Sequence, residues 1–234
     1  MALDVWVNAP DAGQAQALVA LLTDVGVAAT VAQAHETVDW EAALRFHHQP
    51  VTIGNHLRLR PPWATAVPGL IDIVIDPGMA FGTGQHATTK GCLELLVRIP
   101  SGGSLLDAGC GSGVLAIAAC LLGFSPVSAI DFDPLATEAT VANAEVNGVR
   151  VDVAAGDLTT MVVPAAQTVV ANLTATLLAA FAPVLARQVP ERLIVSGIND
   201  HEVESTTAVF GALGLRRTDR VGANGWAALL LERE

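Results

Sequence analysis

From Ser104 onward, short apolar runs alternate with longer amphipathic or apolar ones at regular spacing. "SLLDAG" is a run of strand length, and "GVLAIAACLLG" is a continuous apolar stretch closed by Gly123 that predicts a buried helix. "PVSAIDFD" predicts a second strand. "DPLATEATVANAEVNG" predicts a helix with Asp133 as N-cap, Pro134 at the first helical position and Gly148 just past the end. "VDVAAGD" and "QTVVANL" read as strands, Thr174 to Arg187 as a helix, "RLIVSGI" as a strand, and His201 to Leu213 as a helix stopped by Gly214. Strands alternating with helices predict an α/β, doubly wound fold, its mostly parallel sheet covered on both faces. The tail breaks the rhythm: "LRRTDRV" and "WAALLLER", joined by "GANG", predict an antiparallel hairpin at one edge.

The first part of the chain is patterned differently. "LDVWV" is β-like, Asp11 can cap a helix whose apolar face is Ala15, Leu18, Val19 and Leu22, and Gly26 stops it, so Leu3 to Gln33 reads as strand, helix, strand. A piece this short buries little apolar area alone and is expected to pack on the rest of the chain. Asp39 to His48 reads as a short helix, and "PVTIGNHLRLRPPW" as one strand ended by Pro61 and Pro62. The expected organisation is a small N-terminal α+β segment with linker over residues 1–60 and a main domain over 61–234.

Composition narrows the classes. With 52% hydrophobic and 15% charged residues over 234 positions, the chain is not a disordered one and can bury a sizeable core. Its net charge of −11, with Lys90 the sole lysine, argues against gripping a phosphate backbone and suits a basic protein or an amine. No direct nucleic-acid partner is expected. Cys92, Cys110 and Cys120 are too few and too irregularly spaced for a disulfide frame or a zinc site, and read as reduced, buried thiols. The N-terminus shows no basic patch leading into an apolar run, so a cytoplasmic protein is expected. The uncharged stretch "TVVANLTATLLAAFAPVLA" is about long enough to cross a bilayer, but Asn172, its threonines and Pro183 favour a buried strand running into a core helix. The expectation is therefore no membrane partner, and a monomer.

Two stretches carry chemistry. In "LLDAGCGSGVLAIAA" an apolar strand ends at Asp107, glycines stand at 109, 111 and 113, and a helix begins. Glycine lets the chain turn sharply and lets a ligand approach bare backbone, and a helix N-terminus favours anions. Such a turn fits dinucleotides and other adenosine cofactors alike. Asp131, ending the next strand, is placed to accept hydrogen bonds from ribose hydroxyls, since Asp133 already fills the capping role. The second stretch, "DPGMAFGTGQHATTKG" over residues 76–91, sets four glycines, three threonines and His86 between two apolar runs, so it bends around or binds something.

"LLDAGCGSG" followed by "AIDFDP" resembles the class I S-adenosylmethionine-dependent methyltransferases, and "DPGMAFGTGQHATT" with "VVANLTA" is similar to the PrmA-type ribosomal protein methyltransferases, which modify protein eleven of the large subunit. The likeness runs from about Trp63 to the C-terminus, and the "FGTGQHATT" element is its more specific part. It implies a Rossmann-like sheet of seven strands and S-adenosyl-L-methionine as cofactor. It implies cofactor contacts from Thr83, Thr89, Asp107, Gly109, Gly111, Asp131 and Asn172, with Asp157 in "AAGDL" accepting from the adenine amine. Phe81 stands where an aromatic wall would face a sulfonium, with plain core packing an equal alternative. Asn172 and His86 are the catalytic candidates, the histidine as an orienter in preference to a base. Lysine side chains or an N-terminal amine of a ribosomal protein are the implied acceptors.

The departures matter as much. Asn172 is followed by Leu173 and Thr174, not by prolines and an aromatic, which argues against a stacked nucleobase amine. The family as usually described has a larger N-terminal recognition domain than the sixty or so residues ahead of Trp63, so another protein or a small amine stays open as acceptor. A nicotinamide-binding oxidoreductase is permitted by the glycine loop, yet the chain has no tyrosine for a Tyr-Lys hydride site. A non-catalytic cofactor-binding protein is the remaining alternative.

Overall fold

The computed structural model describes residues 12–24, 30, 48–77, 82 and 84–233. The chain divides into two compact units, 1–43 and 44–234. In the first, α1 (Ala12–Asp24) half-buries the four expected positions Ala15, Leu18, Val19 and Leu22. The strands expected on either side of α1 lie outside the described residues, as do Phe81, Thr83 and all of the helix expected over Asp39 to His48 except His48, which is not helical.

The second unit opens with a small sheet. The single strand expected in "PVTIGNHLRLRPPW" is a hairpin of β1 (Val51–Ile53) and β2 (Leu57–Arg60). Gly54, at φ +53°, turns the chain into the left-handed region, and the His56 amide donates back to the Ile53 carbonyl at 3.3 Å. Parallel β3 (Ile71–Val74) completes a three-stranded sheet, and Arg60 binds Asp72 across it at 2.7 Å. Helix α2 (Ala87–Arg98) follows, then the alternation the pattern predicts: β4 (Leu105–Ala108), α3 (Val114–Leu121), β5 (Val127–Asp131), α4 (Pro134–Val146), β6 (Asp152–Ala155), β7 (Thr168–Asn172), α5 (Ala175–Leu185), β8 (Arg192–Asn199), α6 (Val203–Gly211), β9 (Leu215–Ala223) and β10 (Trp226–Arg233). The signals around α4 act as read: the Asp133 side chain accepts from the Leu135 amide, and Gly148 leaves the helix at φ +64°.

The main sheet has seven strands in the order β6-β5-β4-β7-β8-β10-β9, parallel as far as β8 and antiparallel through the terminal hairpin. The expected doubly wound α/β architecture is borne out. Adjacent strand residues face opposite cores: Leu105 and Ile194 pack with α2, α3 and the small sheet, while Leu106 and Val195 pack with α5 and α6 around Phe181 and Phe210. "TVVANLTATLLAAFAPVLA" is β7 followed by α5, and among the described residues no helix is long and apolar enough to cross a membrane. Cys92 and Cys110 are buried and Cys120 half-buried, its thiol donating to the Arg150 carbonyl.

The order reverses at β4: the chain moves outward through β5 and β6, then returns to place β7 on the other side. Open α/β sheets form a crevice at such a reversal, outside the carboxyl ends of the strands.

Candidate functional site

Three loops meet at that reversal. Gly109, Gly111 and Gly113, after β4, all have positive φ (85°, 54° and 80°), which frees the loop of side chains and starts α3 without a side-chain cap. A Cβ on Gly109 would lie 2.4 Å from Leu173 Cδ2, so the segment after β7 presses on the loop after β4. Asp131, ending β5, braces the loop from the other side. Its Oδ2 accepts from the Gly111 amide at 2.9 Å and its Oδ1 from the Asp133 amide at 3.0 Å. Each oxygen keeps a further lone pair for a ligand donor.

Asp107 lies beneath the same loop with no exposed surface. Its Oδ2 accepts from the Ala116 amide at 3.0 Å, occupying one of the N–H groups at the start of α3, while its buried Oδ1 has no hydrogen-bond partner among the described residues. Burial raises its pKa to about 7, opposed by the Ala116 amide and helped by the Asp131 charge. The neighbouring Cys110 thiol is pushed up to about 12, chiefly by burial, so it stays protonated and is no nucleophile at neutral pH.

Asn172 ends β7 and donates from Nδ2 to Thr89 Oγ1, 3.3 Å away in the first turn of α2. Two residues 83 positions apart, singled out separately in the sequence, are thus in contact. His86 is the N-cap of α2. Its Nδ1 accepts from the Thr88 amide at 3.4 Å and lies 2.7 Å from Thr88 Oγ1. Its ring meets Trp226, the first residue of β10, edge-on with centroids 5.0 Å apart. Asp157 follows β6. The Thr159 hydroxyl and then its amide, both on Oδ1, hold its carboxyl below the usual carboxylate range.

Other residues frame the site without having been singled out. Ser112 Oγ donates to the Gly82 carbonyl at 2.9 Å, joining the glycine loop to the 76–91 stretch. Along α4, Thr140 Oγ1 donates to the Gly111 carbonyl at 3.0 Å and Asn143 Nδ2 to the Ser112 carbonyl at 2.9 Å; away from the site, the C-cap Asn147 donates from Nδ2 to the Val74 carbonyl at 2.7 Å. Gly197 lies inside β8 at φ +83°, where a Cβ would be 2.4 Å from the Leu173 carbonyl oxygen, and the Leu173 amide donates to Ser196. Ser196 and Gly197 bulge between Val195 and Ile198, which pair with Leu229 and Ala227.

At the sheet reversal stand a bare glycine loop, the carboxylate ending β5 and the Asn ending β7, and residues 9–234 match the family described as ribosomal protein L11 methyltransferase (PrmA). The chain belongs to the PrmA family. It is 42% identical over 198 residues to the ribosomal protein L11 methyltransferase of Pelotomaculum thermopropionicum, covering 82% of this chain and 64% of that one. To the enzyme of the same name from Citrifermentans bemidjiense it is 44% identical over 189 residues, covering 76% and 62%. The chain thus spans under two thirds of the length of these curated PrmA relatives. A crystal structure of ribosomal protein L11 methylase from Lactobacillus delbrueckii subsp. bulgaricus superposes with a TM-score of 0.73 at 28% identity, over 80% of this chain and all of that one.

Proposed function

We propose that this chain transfers a methyl group from S-adenosylmethionine to amino groups, lysine or N-terminal, of the large-subunit ribosomal protein for which its family is named. The observation that carries the reading is the meeting of Gly109, Asp131 and Asn172 at the sheet reversal, in a chain whose family match runs from residue 9 to 234. The residues fit such a cofactor: the glycine loop offers bare backbone, Asp131 has a spare acceptor site on each oxygen, and Asp157 Oδ2 has no partner among the described residues. Asp131 would hold the ribose diol and Asp157 the adenine amine, with Thr89, Gly109, Gly111 and Asn172 around the amino-acid end. When bound, the cofactor supplies a methyl group already activated as a sulfonium.

This leaves the protein two tasks, alignment and disposal of the acceptor's proton. With Nδ2 given to Thr89, Asn172 presents Oδ1 as an acceptor for an amine N–H. The amine reacts in its neutral form, its proton leaving along Asn172 Oδ1 to water. His86 fixes the start of α2, and through Thr88 the placement of Thr89 beside Asn172. The net charge of −11 favours encounter with a basic acceptor protein. In this reading the methyltransferase domain expected over 61–234 also takes in β1 and β2, which pair with β3 in the second compact unit, and the residues ahead of it serve recognition or cover.

The test is calorimetric titration with S-adenosylmethionine, S-adenosylhomocysteine and NAD, followed by transfer of labelled methyl to the ribosomal protein. Binding of the first two without NAD, with label in protein amines, is expected. Binding of NAD alone would overturn the reading, and label in another acceptor would overturn the substrate.

A further inference from the structure

Helix α4 touches the site along a seam of polar side chains that sequence patterning assigns to no role. Thr140 and Asn143 stand one turn apart on α4, and Asn147, its C-cap, follows four residues after Asn143. Asn143 is the most constrained of them. It is 4% exposed in mid-helix, where a half-satisfied amide is destabilising, and both ends of its side chain are used. Nδ2 donates to the Ser112 carbonyl in the glycine loop at 2.9 Å. Oδ1 accepts from the Asp76 amide at 3.2 Å, where the 76–91 stretch leaves β3. One amide therefore ties together the two segments that flank the proposed cofactor site. Asn147 is its natural comparison. It grips β3 through both the amide and the carbonyl of Val74, at 2.8 and 2.7 Å, and its remaining bond is to the Asn143 carbonyl, so it anchors the strand without reaching the glycine loop.

We propose that Asn143 is a positioning residue for the cofactor site, setting the spacing between the glycine loop at Ser112 and the 76–91 stretch at Asp76. The inference rests on the cofactor reading above. Because neither partner is a side chain, the spacing is fixed by main-chain atoms, and a shift at either end displaces backbone that would line the ligand. Asn143→Asp keeps an acceptor toward Asp76 but turns the Ser112 arm into an oxygen facing an oxygen. Asn143→Leu keeps the shape and loses both arms.

The experiment measures S-adenosylhomocysteine affinity and melting temperature for Asn143→Asp, Asn143→Leu and Asn143→Ser, beside Asn147→Asp and Asn147→Leu. The expected result is at least tenfold weaker binding for the variants at 143. Those at 147 should melt as low or lower, with affinity within twofold of the parent. The proposal is overturned if the 143 variants bind within twofold of the parent, or if affinity falls in step with melting temperature at both positions. It is equally overturned if every 143 variant fails to fold while the 147 variants fold, since the role is then stability alone. A parent chain that does not bind S-adenosylhomocysteine refutes the cofactor reading itself. A parent that binds, with indifferent 143 variants, refutes this inference only.

Discussion

Asp131→Ala isolates the ribose contact. The carboxylate already accepts one backbone amide on each oxygen, from Gly111 at 2.9 Å and Asp133 at 3.0 Å, so it stands oriented before a ligand arrives. Two ribose hydroxyls would take the remaining lone pairs as hydrogen bonds to a charged acceptor, each worth about 1.5–3 kcal/mol net. Water partly replaces them in the variant, so a loss of about 1.5–3 kcal/mol, or ten- to a hundredfold in affinity, is expected. The variant also releases two loop amides, which calls for separating ligand contact from loop loosening. Titrating parent and variant with S-adenosylhomocysteine and with its 2′,3′-dideoxy analogue does this as a thermodynamic cycle. The parent should discriminate between the ligands by about tenfold or more, and the variant by about twofold or less. Equal discrimination by both, or unchanged affinity in a folded variant, refutes the argument.

Two further predictions concern stability. Asp107 has a folded pKa of about 7, well above the ordinary value of 3.8, so its contribution is fully present below about pH 4 and is lost as pH rises through 7. Asp107→Asn removes that titration: between pH 5 and 7 the variant should gain about 2–3 kcal/mol on the parent, or roughly 4–12 °C in melting temperature. A difference in melting temperature that stays constant across this range contradicts the assignment. Gly197→Ala places a methyl against the Leu173 carbonyl at positive φ, where the obstacle is backbone and cannot rotate aside. Strain and clash together should lower stability by about 2–4 kcal/mol, at least roughly 4 °C in melting temperature, and methyl transfer should fall as the Asn172 segment moves. An alanine variant that melts and turns over like the parent removes Gly197 from the site's framework.

The sheet and its order of elements were legible because strand and helix periods differ and because punctuation such as Asp133, Pro134 and Gly148 is local. The β1–β2 hairpin was missed although Gly54 and Asn55 announce a turn, because the apolar residues on either side read as one continuous strand. Asp131, Asn172 and Thr89 could be singled out because each sits at an element's end in a recognisable stretch. That Asn172 and Thr89 touch could not be read, since the contact depends on α2 lying across the end of β7. Nothing in the helix pattern set Asn143, Asn147 and Thr140 apart. Polar residues at helical spacing read as a solvent face, and only the fold shows that Thr140 and Asn143 are buried against the glycine loop. Gly197 looked like an ordinary strand residue because its constraint comes from a carbonyl in a different loop.

The seam on α4 is also asymmetric in what it records. Among the described residues, the side chains of Asn143 and Asn147 reach beyond α4 only to main-chain atoms, those of Val74, Asp76 and Ser112. Short of proline, which lacks the N–H, side chains at 74 and 76 can therefore drift without disturbing these bonds, whereas a change at 143 or 147 breaks them. A survey of natural variants would find the memory of this junction written on one partner only. Methods that look for paired, compensating substitutions would pass over it, although it joins two segments of the same site.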